Sequence, residues 1–148
     1  MRHTLLRAGL FLLCSSLLAC PPSSGDDDSG TADDDDAADP CEGLSAEVTD
    51  LSPDDLLGML DDKDFELINV HIPYAGEIAG TDVHIPYTDV DAIEDHLGGD
   101  HGAKAVLYCR TGPMSEIATT ELAARGYCRI HDMPQGLYQW EQLGYPTN

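Results

Sequence analysis

The chain has 148 residues, with 28 Asp or Glu against seven Lys or Arg and a formal charge of −21. That balance excludes nucleic acid and anionic membrane surfaces as electrostatic partners, because both repel a polyanion. It also works against long-range attraction of small anions.

Residues 1–19 carry Arg2, His3 and Arg7, then the apolar run LFLLCSSLLA, then Cys20. A basic start, a short apolar stretch and small residues before a cut form the layout of a secretory signal. The run is too short for a membrane span, which needs about 20 residues. Leu17-Leu18-Ala19-Cys20 resembles the lipobox of bacterial lipoproteins. The resemblance implies cleavage before Cys20, lipidation of that cysteine, and a place in the bacterial cell envelope with the domain facing periplasm or exterior. The lipid anchor would be the chain's one link to a membrane. Residues 20–40 then read as a tether. They hold eight Asp, no Lys or Arg and almost nothing apolar, so self-repulsion extends them, to roughly 65 Å at full stretch. The Asp runs lack the spaced ligands and turn glycine of a calcium loop.

Residues 41–148 hold 20 Asp or Glu against five Lys or Arg, a formal charge of −15, and suffice for one domain. Residues 46–51 suit a short edge strand. Ser52-Pro53-Asp54 starts a helix to about Leu60, with Leu56, Leu57 and Leu60 inward. Residues 65–70 read as a strand stopped by Pro73, 74–82 as a loop, and 83–85 as a strand stopped by Pro86. Thr88 caps a helix to about Leu97, ended by Gly98-Gly99. Residues 104–108 form an apolar central strand. A helix from Ser115 to Arg125 follows, with Ile117, Ala118, Leu122 and Ala123 at helical spacing. Residues 127–131 give a last strand and 135–143 a last helix, with Leu137, Trp140 and Leu143 inward. Strands alternating with helices predict an α/β domain around a mostly parallel sheet. Its sites form at the carboxyl ends of strands, where Cys109 stands.

Cys109 opens the loop RTGPM, which runs into the helix at Ser115. A free cysteine titrates near pH 8.5, and only its thiolate is a good nucleophile. If the loop curls around the sulfur, with Gly112 allowing unusual backbone angles, its N–H groups and the helix start stabilise a thiolate or persulfide anion. Cys41, Cys109 and Cys128 are an odd set, which suits one disulfide and one free thiol; spacing alone leaves three pairings open. The six His show no ligand spacing for a metal, and no cofactor is called for. No Cys-x-x-Cys pair is present, which argues against a thiol oxidoreductase.

Cys109-Arg110-Thr111-Gly112-Pro113-Met114-Ser115 is similar to the Cys-Arg-x-Gly-x-Arg-Ser loop of single-domain rhodaneses. The resemblance extends through Leu67-Ile68-Asn69-Val70-His71, Ile85-Pro86, Gly126-Tyr127, Gly136-Leu137, Trp140 and Gly144-Tyr145-Pro146. It implies a five-stranded, mostly parallel sheet with helices on both faces. It also implies a monomeric sulfurtransferase: Cys109 takes sulfur from thiosulfate or a persulfide or polysulfide, holds it as a persulfide, and passes it to a thiol or cyanide. Residues Arg110 to Met114 would form the cradle and Ser115 its last residue. The loop's usual cation is replaced by Met114, and the usual Asp and Arg after the second strand by Asn69 and His71. Arg110 is then the nearby permanent cation, joined by His71 when protonated. The related Cys-x5-Arg phosphatase loop needs an arginine where Ser115 stands, so no bidentate phosphate clamp is available. The rhodanese strand order places the first and last strands side by side, which implies a Cys41–Cys128 disulfide and a free Cys109. The contrasting reading is a rhodanese-like fold kept as a binding module.

Overall fold

In the computed structural model, residues 40–148 are described, so the expected leader, Cys20 and most of the expected tether lie outside the described residues. Five strands alternate with four helices: β1 (Thr49–Asp50), α1 (Pro53–Leu60), β2 (Glu66–Asn69), β3 (Val83–His84), α2 (Val90–His96), β4 (Ala105–Tyr108), α3 (Pro113–Ala124), β5 (Ile130–Asp132) and α4 (Gly136–Gln142). The sheet order is β1-β5-β4-β2-β3, and every pairing is parallel. Parallel neighbours need crossovers; a loop over residues 70–82 joins β2 to β3, and helices join the other consecutive strands, which is why the α/β alternation in the sequence is informative.

Alternate residues of each strand point to opposite faces. Leu67, Val106 and Tyr108 join Leu56, Leu137 and Trp140 in a core under α1 and α4. Ile68, Leu107 and Cys109 join Ile93, Ala118 and Leu122 in a second core under α2 and α3. Cys109 therefore continues the inward face of β4 on the α3 side, which aims its sulfur at that helix.

Several element ends differ from the sequence expectation. β1 is only two residues long, because it pairs solely with β5 at the sheet edge. Asp89, not Thr88, caps α2, its side chain accepting from the Ala92 N–H. β5 begins at Ile130, so Cys128 precedes the strand rather than opening it. Ile117 and Leu143, expected inward, are 55% and 43% exposed. Ser52 caps α1 as the sequence predicts, in a reciprocal capping box with Asp55. Cys41 and Cys128 form a disulfide, and Cys109 is free and buried. Among the described residues no helix is long and apolar enough to cross a membrane.

Candidate active site at the Cys109 loop

α3 begins two residues earlier than expected. Gly112 is its N-cap, with φ +105°, and Pro113 its first residue. Proline suits that position because its missing N–H would have had no intrahelical partner. Ser115 is consequently a first-turn residue rather than the cap or the last loop residue. Gly112 is also sterically required: a Cβ there would stand 2.3 Å from the Pro134 carbonyl oxygen.

The turn wraps the sulfur. The Gly112 N–H donates to Cys109 Sγ at 3.0 Å, and the Ser115 hydroxyl stands 3.8 Å from the same sulfur. That hydroxyl has one proton, and it also lies 2.9 Å from the Gly112 carbonyl oxygen, the shorter of its two contacts. A helix N-terminus adds a partial positive charge near the sulfur. The arrangement can hold an anion on sulfur through backbone and hydroxyl alone. The residue is 1% exposed, so a reactant reaches it only when the loop or Met114, which packs on the same core, moves aside.

α4 fixes the loop from behind. The N–H groups of Leu137 and Tyr138 donate to the carbonyls of Cys109 and Arg110, each at 2.9 Å. These are two of the first-turn donors that a helix leaves unpaired. Gly136, with φ +63°, permits the approach: a Cβ would lie 2.5 Å from the Arg110 carbonyl carbon.

The cations expected around the loop are weaker than the sequence suggests. The Arg110 guanidinium pairs with Glu141 at 3.6 Å. Burial, then the charge of Arg110, then that of His84, push the His71 imidazole below the usual histidine range, so it is uncharged at neutral pH. Its Nδ1 is buried without a hydrogen-bond partner among the described residues. Asn69, fully buried, serves the backbone: its side chain accepts from the His71 N–H and donates to the Gly76 carbonyl, each at 3.0 Å. Tyr108, next to Cys109, pins residues 78–81, accepting from the Ile78 N–H at 3.0 Å and lying 2.7 Å from the Thr81 hydroxyl. Burial raises its phenol to about 12.

Asp132, at the carboxyl end of β5, is the site residue that sequence reasoning missed. It is 3% exposed, and its Oδ1 has no hydrogen-bond partner among the described residues. Burial pushes its carboxyl up to about 6, against the Ser115 hydroxyl, which draws it down. The available signal was an acid at the inward position of Ile130-His131-Asp132, in step with a buried isoleucine. Among the described residues, no cluster of His, Cys, Asp and Glu could hold a metal ion.

The Rhodanese-like domain family matches residues 52–143. Among solved structures, a rhodanese-related protein from Thermoplasma volcanium is 24% identical, with TM-score 0.57, covering 68% of this chain and 97% of its own. A rhodanese-like domain from Anabaena sp. is 20% identical, with TM-score 0.61, covering 69% and 80%. A Rhodopseudomonas palustris protein of unknown function, described as a possible tyrosine phosphatase, is 18% identical, with TM-score 0.60, covering 68% and 85%. At these identities the likeness is one of fold. No curated protein matches the chain.

Proposed function

The chain belongs to the rhodanese-like domain family, and from that premise we propose that it is a sulfurtransferase carrying sulfur as a persulfide on Cys109. The observation that carries this reading is the Gly112 N–H, 3.0 Å from a free thiol at the head of a twelve-residue helix. Cys109 sulfur attacks the outer sulfur of a donor, the donor's remaining group leaves with the bond pair, and the persulfide anion stays under the turn. A thiol or cyanide acceptor then attacks that outer sulfur, and Cys109 leaves as thiolate. The donor is a persulfide or polysulfide rather than thiosulfate. Arg110 is engaged by Glu141, His71 is uncharged, and Met114 supplies no cation, so a dianion has little to pair with. Cys20 carries the lipid that anchors the domain to the bacterial envelope, with residues 20–40 as spacer.

Offering thiosulfate, inorganic polysulfide and glutathione persulfide to the protein, then weighing it, tests the reading. The expected result is a gain of one sulfur atom, absent in Cys109→Ala. The burial of Cys109 favours one second reading, a catalytically silent binding module. No gain from any donor, with Cys109 inert to alkylation, selects it.

A further inference from the structure

Beside the Cys109 turn lies a cavity of about 370 Å³, lined by Asp50, Thr111, Gly112, Pro113, Glu116 and Asp132. Three of these are acids, brought together from β1, α3 and β5, and no Lys or Arg lines the cavity. The two arginines that flank the loop and α3 are engaged elsewhere, Arg110 with Glu141 and Arg125 with Asp91, Glu94 and Glu121. Exposed acids are ordinary, because water solvates them, and Asp50 and Glu116 are of that kind. Asp132 is not. It is 3% exposed, and its Oδ1 is buried without a hydrogen-bond partner among the described residues. It stands two residues after Ile130, so its side chain leaves the sheet on the same face, toward α3 and the cavity. Folded proteins rarely leave a buried carboxylate oxygen without a donor, because the cost is high. Burial above all, with the charges of Asp50 and Glu116 adding to it, disfavours the ionised form of Asp132. A cation in the cavity would meet all three acids and offset that cost.

The lining also sets the chemistry of the cation. Among the described residues no group of His, Cys, Asp and Glu could hold a metal ion, so the three acids do not converge on one bare ion. They surround a space of the size that takes a small organic group. An ammonium or guanidinium group carries several N–H donors pointing in different directions, which suits acids that face it from different sides. We propose that this cavity is a binding site for an organic cation, a primary ammonium or a guanidinium, held by Asp132 at its floor and by Asp50 and Glu116 at its rim. The cation belongs to a free amine or to a lysine or arginine side chain of another protein, which present the same head group. Thr111 and Gly112 line the cavity, and the Gly112 N–H holds the Cys109 sulfur, so the occupant is seated against the turn. The site goes beyond the reading of Cys109 as a sulfur carrier and does not depend on it.

The test is a titration of the full chain with n-butylammonium chloride and, separately, with a blocked tripeptide whose central residue is lysine. Binding is followed through the backbone amide resonances of Gly112, Glu116 and Asp132. At least one probe should shift all three saturably. Tetramethylammonium at the same ionic strength, a cation without N–H donors, should not. Asp132→Asn keeps the shape and removes the charge, and should weaken binding about tenfold or more, the loss of one charge-assisted hydrogen bond. Tighter binding of the tripeptide supports the site as one for a protein side chain, and tighter binding of butylammonium supports it as one for a free amine. No saturable shift with either probe, the same shifts with tetramethylammonium, or undiminished affinity in a folded Asp132→Asn protein would overturn the proposal. Should that variant not fold, the double change Asp50→Asn with Glu116→Gln, both at exposed positions, decides the matter: weaker binding supports the site and undiminished affinity overturns it. No sulfur donor is present, so a protein that never loads sulfur can pass this test and one that loads it can fail.

Discussion

At position 114 a methionine packs on the core that contains Cys109, where rhodanese-type loops usually project a cation. An arginine there could lay its stem along the same apolar surface and keep its head at the mouth of the turn. A hydrogen bond to a charged group contributes about 1.5–3 kcal/mol. Met114→Arg should therefore raise loading of Cys109 from thiosulfate about tenfold or more relative to a persulfide donor, measured by competition and mass. An unchanged donor ratio would mean that this cation does not set donor choice. Asp132 gives a prediction of a different kind. Its carboxyl is raised from the usual 3.8 to about 6, so the folded state binds the proton more tightly than the unfolded chain. Stability should fall as pH rises from about 4 to about 6, by at most about 3 kcal/mol, and stay at the lower level above that window. In urea titrations Asp132→Asn should lack this slope, and a wild-type slope of opposite sign would refute the assignment. The free thiol and its glycine were legible in Cys-Arg-x-Gly, because a thiol, a flexible residue and a helix start are contiguous there. Asp132 was not, because its acidic neighbours Asp50 and Glu116 come from distant parts of the chain.

At the scale of elements, the loop is held by two helices rather than by its own residues. α3 contributes its first turn, and α4 contributes the Leu137 and Tyr138 N–H groups. Gly136 allows α4 to come so close, and its positive φ adds strain to any side chain placed there. Gly136→Ala should displace α4 from the Arg110 carbonyl, cost on the order of 2 kcal/mol and slow Cys109 alkylation. Denaturant melts together with alkylation rates check this, and an unperturbed loop would show that α4 is not its support. The sequence made the order of elements plain, since runs of period two and of period 3.6 alternate along it. It misplaced the start of α3, because Gly112-Pro113 reads locally as turn chemistry and only the packed structure shows that proline is already helical. It also overstated β1, whose length depends on how far β5 extends beside it.

At the scale of the whole domain, the Cys41–Cys128 bridge spans a sequence separation of 87 and ties the residues before β1 to the approach to β5. Closing so long a loop should stabilise the fold by about 2–4 kcal/mol. Replacing both cysteines by alanine should lower the denaturation midpoint accordingly while leaving sulfur loading on Cys109 intact; loss of loading in a folded variant would tie the bridge to the site. The parallel order of the sheet was readable from the alternation, whereas the bridge needed a fold in which first and last strands are neighbours. The burial of Cys109 has a consequence for how this bridge is made. In an unfolded chain, Cys128 meets Cys109 more often than Cys41, because shorter loops close at lower entropic cost. An oxidant acting early therefore favours the wrong partner. Once β4 and α3 enclose the sulfur, Cys41 and Cys128 are the pair that the fold brings within bonding reach. Folding before oxidation is thus what leaves Cys109 free, and the order of those two events decides whether a newly made chain holds that thiol in its turn or loses it to a crosslink with Cys128.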